Sequence, residues 1–295
     1  MDVFLRSTHK KHIMRITMLS HWNTSQRTGL RLSVLIALLA GLAAWIYVSP
    51  PGLMGKLDAI GYAVCHRLDS HSLHIGGRQM PLCARCTGEF NAAAIALVFQ
   101  GVVSPRRSML PRRGILAVLG GFFLAFALDG SNSYLALMRS MQPGILGWIP
   151  TLYSTDSVTR VLTGSGMGLM LGSVLYPMYN QSVWQAPIAE HALSWRKFAA
   201  LCGIVVAVDL GILTESPIVL YPVALLSAVG VLSLLAIVFS IVWIMAMRQD
   251  NAISSGRQLW LPAAAGLTLA FVMIVGIDLI RLSMTHTWGG FPGLQ

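Results

Sequence analysis

Charged residues are scarce in this chain of 295 residues, where Asp, Glu, Lys and Arg together make up only 11%. A soluble globular domain has about 25% of these residues, so the composition excludes that class. Hydrophobic residues make up 55%, and several apolar runs approach the roughly 20 residues that a helix needs to cross a bilayer. The sequence therefore predicts an all-α fold, a polytopic transmembrane helical bundle.

Acidic residues are scarcer than basic ones, with 11 Asp and Glu against 21 Lys and Arg and a net charge of +10. In a soluble protein this excess would indicate nucleic-acid binding. In a membrane protein, basic residues collect in cytoplasmic loops and set the orientation of the chain. We therefore predict the lipid bilayer as the partner of this protein, with a lipid-like or small-molecule ligand and no nucleic acid.

Four cysteines in a chain of this length are too few for a disulfide scaffold. The first 29 residues also lack an apolar run long enough for a cleavable signal. We expect a basic cytoplasmic tail at residues 1–29, a transmembrane domain at residues 30–282 and a short C-terminal tail at residues 283–295.

The apolar runs predict about seven membrane spans, and six are also compatible with the pattern. The expected spans are residues 30–48, 87–103, 114–128, 158–176, 198–213, 220–247 and 259–282. Thr87 is the expected N-cap of the second span, because its hydroxyl can accept from a free amide of the first turn. Residues 133–157 are mixed in character and are interpreted as an interfacial or re-entrant segment.

Basic residues indicate the orientation of these spans. With the N-terminus inside, inside segments hold 14 of the 21 Lys and Arg residues, including the hairpin from Arg106 to Arg113. This asymmetry favours a protein of the cytoplasmic (inner) membrane with its N-terminus in the cytoplasm. The polar stretch between the first two spans is then extracytoplasmic.

That polar stretch, residues 62–90, concentrates the residues that carry chemistry. It contains three of the four cysteines and three of the eight histidines, namely Cys65, Cys83, Cys86, His66, His71 and His74. Three thiolates and one imidazole suffice for a closed tetrahedral zinc site, and His66 follows Cys65 directly. His71 and His74 remain alternatives as the fourth ligand. A structural disulfide is a further alternative outside the cytoplasm, and a redox-active dithiol is another.

Ionisable residues within the spans are the other candidates, since such groups are costly in a membrane and are usually functional or paired. Asp129, Asp156 and Arg160 all fall at the predicted outer ends of spans, beside the cysteine stretch, and are the candidate catalytic residues. Small residues precede Asp129 at four-residue spacing (Gly121 and Ala125), which predicts a close helix contact. Residues Gly164, Gly168 and Gly172 form a similar ridge on the helix that begins near Arg160.

The cysteine stretch resembles the signature of a known family. Its pattern is Cys65-His66, then Gly77-Arg-Gln-x-Pro-Leu-Cys83-Ala-Arg-Cys86-Thr-Gly88, and it continues in order at Asp129-Gly130, Ser154-Thr155, Arg160 and Thr163-Gly164. This pattern resembles that of a family of prokaryotic predicted membrane proteins, domain of unknown function 2085 (DUF2085), over roughly residues 60–175. The resemblance implies a membrane protein in which Cys65, His66, Cys83, Cys86, Asp129 and Arg160 are the marked positions. Asp156 replaces the asparagine of the usual pattern, and Glu89 replaces an apolar residue.

Two classes of function are consistent with these residues. One is a membrane enzyme that uses a Cys/His-bound metal, zinc above all, or a reactive thiolate on a lipid-linked or quinone-like substrate. Arg160 would then hold an anionic group, and Asp129 or Asp156 would transfer protons. The alternative is a binding, transport or assembly protein in which the metal or a disulfide only stabilises the loop. The inner halves of the predicted spans are nearly all apolar, which counts against a transport path.

Overall fold

A computed structural model describes residues 24–142, 144 and 148–289 of the chain. These residues form eight α-helices and two pairs of short strands, which confirms the predicted all-α class. In chain order the elements are α1 (Thr24–Val48), α2 (Gly52–Val64), β1 (Ser72–Ile75), β2 (Arg78–Cys83), α3 (Ala84–Val103), β3 (Arg107–Met109), α4 (Arg113–Met141), α5 (Ser157–Val183), β4 (Ile188–His191), α6 (Trp195–Ile212), α7 (Pro217–Ala246) and α8 (Trp260–Thr285).

Six of these helices are long and apolar enough to cross a membrane, namely α1, α3, α4, α5, α7 and α8. The predicted bundle of six to seven spans is therefore confirmed. Helix α6 also connects the two ends of the bundle, and its 18 residues extend about 27 Å. Lys197 near its start donates to the carbonyl of Val103 at 2.7 Å, whereas Ile212 at its end packs in the cluster that contains Cys65.

Two predicted boundaries are wrong. Helix α4 continues through Asp129 and Asn132 to Met141, so residues 133–141 belong to this span and not to a separate interfacial segment. The polar residues do not end the helix because each finds a partner there, and Asn132 both donates to the carbonyl of Tyr153 and accepts from the amide of Leu152.

Helix α3 begins at Ala84, three residues before the expected N-cap. Thr87 lies in the first turn, where its buried hydroxyl donates to the carbonyl of Leu82 at 3.3 Å. Cys86 is consequently the third residue of the helix rather than the residue that precedes it.

The segment between the first two spans is more ordered than its sequence indicates, because it forms α2 and a β-hairpin. Strands β1 and β2 are antiparallel and joined by Gly76 and Gly77. These glycines have φ values of 58° and 84°, as a two-residue hairpin turn with positive φ at both positions requires. Gly61 of α2 lies against the carbonyl of Pro81 with no space for a side chain, so α2 and the hairpin form one compact unit.

Helices α3 and α5 pack in close contact along the predicted glycine ridge. A side chain at Gly164, Gly168 or Gly172 would collide with the backbone of α3, at the carbonyls of Arg85 and Glu89 for the first two. Small residues allow such close approach in membranes. The stripe that contains Gly121 does not make the contact predicted for it, since a Cβ there would meet no atom within 4 Å. Positions four apart drift around a helix of 3.6 residues per turn, which takes Gly121 to the outer surface while Asp129 is buried.

Part of the predicted N-terminal tail lies outside the described residues, as do residues 290–295 of the predicted C-terminal tail. Residues 24–29 of the predicted tail already belong to α1. The structure adds nothing on residues 1–23.

The glycine contact gives a matched pair of substitutions. We expect Gly168→Ala to lower the free energy of unfolding in detergent by about 1–3 kcal/mol, because the methyl group overlaps the backbone of α3. Gly121→Ala should be neutral or raise stability by up to about 1 kcal/mol, since alanine is the better helix former and the site is open. Equal effects of the two substitutions would contradict the close packing of α3 and α5.

Candidate metal centre and adjacent cavity

Three structural elements bring the cysteines together at one end of the bundle. Cys65 is the C-cap of α2, Cys83 is the last residue of β2, and Cys86 lies in the first turn of α3. The hairpin turns the chain back, so that residues 18 positions apart meet, and the backbone amide of Cys83 lies 3.4 Å from the sulfur of Cys65. The amide of Arg67 approaches the same sulfur at 3.5 Å.

The ligand atoms of Cys65, His66 and Cys83 all lie within 4.8 Å of one another, which is close enough to bind one metal ion. Cys86 lies beside this group, and its thiol is a hydrogen-bond partner of Cys65. All four cysteines of the chain are free thiols in this structure. Cys202 lies apart from the other three, in the middle of α6 among the apolar side chains that surround Leu119 and Leu201.

Electrostatics favour the thiolate form at Cys65 more than at Cys83 or Cys86. Hydrogen bonds from the thiols of Cys83 and Cys86 hold the pKa of Cys65 well below its usual value, although burial acts in the opposite direction. The pKa of Cys83 is raised, first because its proton is held in the hydrogen bond to Cys65. A buried thiolate with several donors around it is the form of cysteine that binds metals.

The three histidines of this stretch occupy different environments. His66 belongs to the cluster, and its Nε2 lies 3.5 Å from Nδ1 of His71. Burial, followed by the charge of Arg160, lowers the pKa of His71 to about 4, so this ring is neutral at pH 7 and can accept a hydrogen bond from His66. His74 is turned away from the cluster and pairs with Asp69 at 2.9 Å on the exposed side of the hairpin.

The loop that carries Cys65 and His66 is anchored by arginines. Arg67 is buried, has φ of 51°, and pairs with Asp58 of α2 at 2.9 Å. Arg281 of α8 donates to the carbonyl of Cys65 at 2.7 Å. These contacts hold the Cys65–Arg67 backbone in a conformation that a non-glycine residue adopts only at a cost.

A cavity of about 310 Å³ adjoins the cluster. His66, His71 and Arg85 line one side of it, and α4 lines the other with Ser133 and Tyr134 among its residues. His66 therefore belongs both to the candidate metal ligands and to the wall of the cavity. An apolar cavity with a few convergent polar groups is the usual form of a small-molecule site.

Asp129 is fully buried and accepts hydrogen bonds from three side chains. Nε of Arg85 lies 3.1 Å from one carboxylate oxygen, and Thr163 donates to the same oxygen at 3.2 Å. The hydroxyl of Tyr153 donates to the other oxygen at 2.8 Å. The carboxylate is thus fully engaged, and its contacts hold Arg85 at the edge of the cavity.

Arg160 is also buried, but it pairs with no carboxylate among the described residues. Its guanidinium donates to Thr155 at 2.9 Å, to Ser133 at 3.5 Å and to the carbonyl of Ser70 at 3.3 Å, while its Nε has no partner. It stands behind the cavity wall that Ser133 forms. Its catalytic role stays a prediction.

Asp156 lies apart from the cluster, exposed at the N-terminus of α5. It accepts from the amide of Thr159 at 2.8 Å, and Thr159 bonds back to the amide of Asp156, which together form a capping box. These contacts lower the pKa of Asp156. The geometry assigns it a helix-capping position, and its predicted catalytic role remains untested.

Sequence reasoning missed several residues of this site. Arg85, Tyr153, Ser133 and Thr163 complete the polar network, yet none was selected as a site residue. For Arg85 a signal existed, because it lies between Cys83 and Cys86 in the motif and a buried Asp129 requires a cation.

One comparison with known proteins matches the segment that contains this site. The family model described as "Predicted membrane protein (DUF2085)" matches residues 65–174, from the first cysteine of the cluster to the middle of α5. The predicted resemblance to this family is thereby confirmed for that segment. Comparisons with curated proteins and with solved structures gave no match.

The same substitution, aspartate to asparagine, should have a large effect at the buried ion pair and a small one at the helix cap. Asp129→Asn should lower the free energy of unfolding by about 3–5 kcal/mol, because it leaves Arg85, whose side chain is 13% exposed, without its counter-charge. Asp156→Asn should have little effect, since asparagine caps a helix as well as aspartate does. Denaturant titration in detergent micelles measures both.

The pH dependence of stability tests the capping role of Asp156. Because the pKa of Asp156 is lowered in the folded protein, its contribution to stability is present above its usual value near 4 and is lost as the pH falls through the folded pKa. Asp156→Asn should remove that acid-dependent loss. A large loss of stability for Asp156→Asn at pH 7 would contradict the capping assignment.

Proposed function

We propose that the protein is a metal-dependent membrane enzyme that acts on an amphipathic, lipid-like substrate. Cys65, His66 and Cys83 would bind a zinc-like ion, which would supply a Lewis acid at the cavity. The observation that carries this proposal is the position of His66, which belongs to the ligand cluster and to the cavity wall at once. Three protein ligands and one open position are typical of catalytic zinc.

The remaining roles follow from the contacts in and behind the cavity. Arg85 at its edge, and Arg160 behind Ser133, favour a substrate with an anionic or strongly polar group. Asp129 would position Arg85 rather than transfer a proton, because all its contacts are already made. Tyr134, which is 61% exposed, lies on the side of α4 that faces outward, so an apolar tail could reach the cavity from the bilayer.

A second candidate is a binding or assembly protein with a purely structural metal. The position of Cys86 favours it, because a fourth ligand from this residue would close the coordination shell as in structural zinc sites. The alternative of a disulfide between two of the three clustered cysteines is tested by the same measurements.

Metal content is the first test. The purified protein should contain about one zinc per chain, and Cys65→Ser should remove it because the site loses its central thiolate. Cys202→Ser is the matched control and should retain the metal, since Cys202 packs among apolar side chains elsewhere. If the purified protein contains no metal and its thiols react only after reduction, the cluster forms a disulfide and not a metal site.

Access to the metal separates the enzyme from the structural alternative. In the cobalt-substituted protein, an alkyl hydroxamate that enters the cavity should shift the visible spectrum, because it takes the open position. Gly130→Phe, which fills the cavity from α4, should retain cobalt and abolish the shift. Cobalt spectra that show three thiolate ligands and do not respond to the hydroxamate would overturn the enzyme and support the structural role.

We further propose that the metal centre lies outside the cytoplasm, in the inner membrane. Ten of the Lys and Arg residues that the structure describes lie at the end opposite the cluster, against seven at the cluster end, as the positive-inside rule requires for a cytoplasmic N-terminal end. Most described acidic residues lie at the cluster end, including Asp58, Asp129, Glu215 and Asp278.

Cysteine labelling on intact cells tests this orientation. A membrane-impermeant maleimide should label Thr214→Cys, in the exposed turn between α6 and α7, and should not label Ser255→Cys, in the exposed loop before α8. The unsubstituted protein controls for the native thiols, and permeabilised cells should label both variants. The reverse pattern would place the metal centre in the cytoplasm.

A further inference from the structure

A second cavity, of about 480 Å³, lies at the end of the bundle opposite the cysteine cluster. The first turns of α1 line one side of it, and the segment from Gln249 to Pro262 lines the other. It shares no residue with the cavity beside His66, so it is independent of the proposed enzymatic site.

The charged side chains that line this second cavity are all basic among the residues that the structure describes. Arg27 and Arg31 lie four residues apart and therefore on one face of α1, and Arg257 approaches from the 3₁₀ turn before α8. In the part of the chain that the structure describes, no acidic residue lines the cavity. Among the described residues, neither Arg31 nor Arg257 forms an ion pair with a carboxylate. Guanidinium groups that converge in this way bind phosphoryl and carboxylate groups.

A buried amide is the independent observation that points to a ligand. Gln249 lines the cavity and is only 9% exposed, yet its side-chain nitrogen Nε2 has no hydrogen-bond partner among the residues that the structure describes. A buried donor without a partner is costly, and native proteins rarely leave one. An acceptor bound in the cavity, such as a phosphoryl oxygen, would satisfy this N–H together with the arginines.

An apolar groove continues from this cavity toward the middle of the membrane. It begins at Leu30, which lines both spaces, and passes Val34 and Ala37 of α1 on the way down, a distance of about 10 Å along the helix. Trp243 of α7 also lines the groove, and its indole nitrogen is a second buried donor without a partner. Trp243 lies one turn from the end of α7.

From this arrangement we infer that the end of the bundle formed by α1, α7 and α8 binds an anionic phospholipid. The phosphoryl group contacts Arg31, Arg257 and Gln249, the ester carbonyl accepts from Trp243, and one acyl chain occupies the groove. The order of charged cavity, buried indole donor and apolar groove matches the order of groups in a phospholipid. Free phosphate shares only the first of these contacts.

Native mass spectrometry of the full-length protein in neutral detergent measures this binding. Short-chain phosphatidylglycerol should bind at least about tenfold more tightly than phosphatidylcholine of the same chain length and than inorganic phosphate. The double variant Arg31→Gln/Arg257→Gln should lose that preference. Gln249→Leu should weaken phosphatidylglycerol without any change in charge.

The matched control removes two charges from the same end of the bundle but outside the cavity. Arg112→Gln/Arg113→Gln, both exposed, should leave the preference intact. An equal loss of the lipid preference in the two double variants would show that general surface charge attracts the lipid, and would overturn the proposed binding site. Binding of inorganic phosphate as tight as that of phosphatidylglycerol would overturn the lipid assignment, and equal binding of the two lipids would overturn the anion site.

The acyl chain has a separate readout. Phosphatidylglycerol with brominated chains should quench part of the tryptophan fluorescence, and Trp243→Phe should remove that part. Unchanged quenching in Trp243→Phe would place the chain elsewhere. The thermal unfolding midpoint of each variant in lipid-free detergent checks that it is folded, and Ser255→Gly, in the same loop, is a neutral reference for that midpoint.

Discussion

The close contact of α3 with α5 is the constraint on which the site depends. Gly164 lies against the carbonyl of Arg85, so the first turn of α3 and the first turns of α5 meet at one level. At that level the side chain of Arg85 reaches Asp129 of α4, and Thr163 of α5 joins the same carboxylate. The glycine contact thus aligns α3 with α5, and the hydrogen bonds of Arg85 and Thr163 add α4. The buried charges then fix the depth of the three spans, because a displaced Asp129 would lose its partners in a medium that cannot replace them.

Much of this arrangement follows from the sequence, and the exceptions have physical causes. Apolar runs identify the long helices, and the glycine ridge of α5 identifies a close contact, because both depend on local periodicity. Helix α4 passes through Asp129 only because Arg85, 44 residues away, neutralises it, and no local pattern contains that information. The hairpin had a recognisable signal in Gly76-Gly77, whereas helix α2 had little, because its burial depends on Pro81 and on α8.

The candidate site could likewise be predicted from the sequence only in part. Spacing along the chain predicted which cysteines converge, but the choice of His66 over His74 depends on the hairpin, which turns His74 to the exposed side, where it pairs with Asp69. The cavity was beyond sequence reasoning because it lies between a loop and a distant helix. Its position beside His66 is what favours, in our proposal, a metal with an open fourth position over one that Cys86 closes and that only joins α2 to α3.

Helix α6 bears on how the protein enters its membrane. Among the helices that join the two ends of the bundle it has the highest density of charge, with Arg196, Lys197 and Asp209 in 18 positions, whereas α4 has three charged residues in 29. Asp209 accepts a hydrogen bond from Ser165 of α5 at 2.7 Å, and Lys197 donates to the carbonyl of Val103 at the end of α3. These two charges are therefore satisfied only after the earlier spans are in place. During synthesis α6 is therefore a poor insertion signal by itself, and the strongly apolar α7, joined to it by a four-residue turn, must draw it into the bilayer as a helical pair.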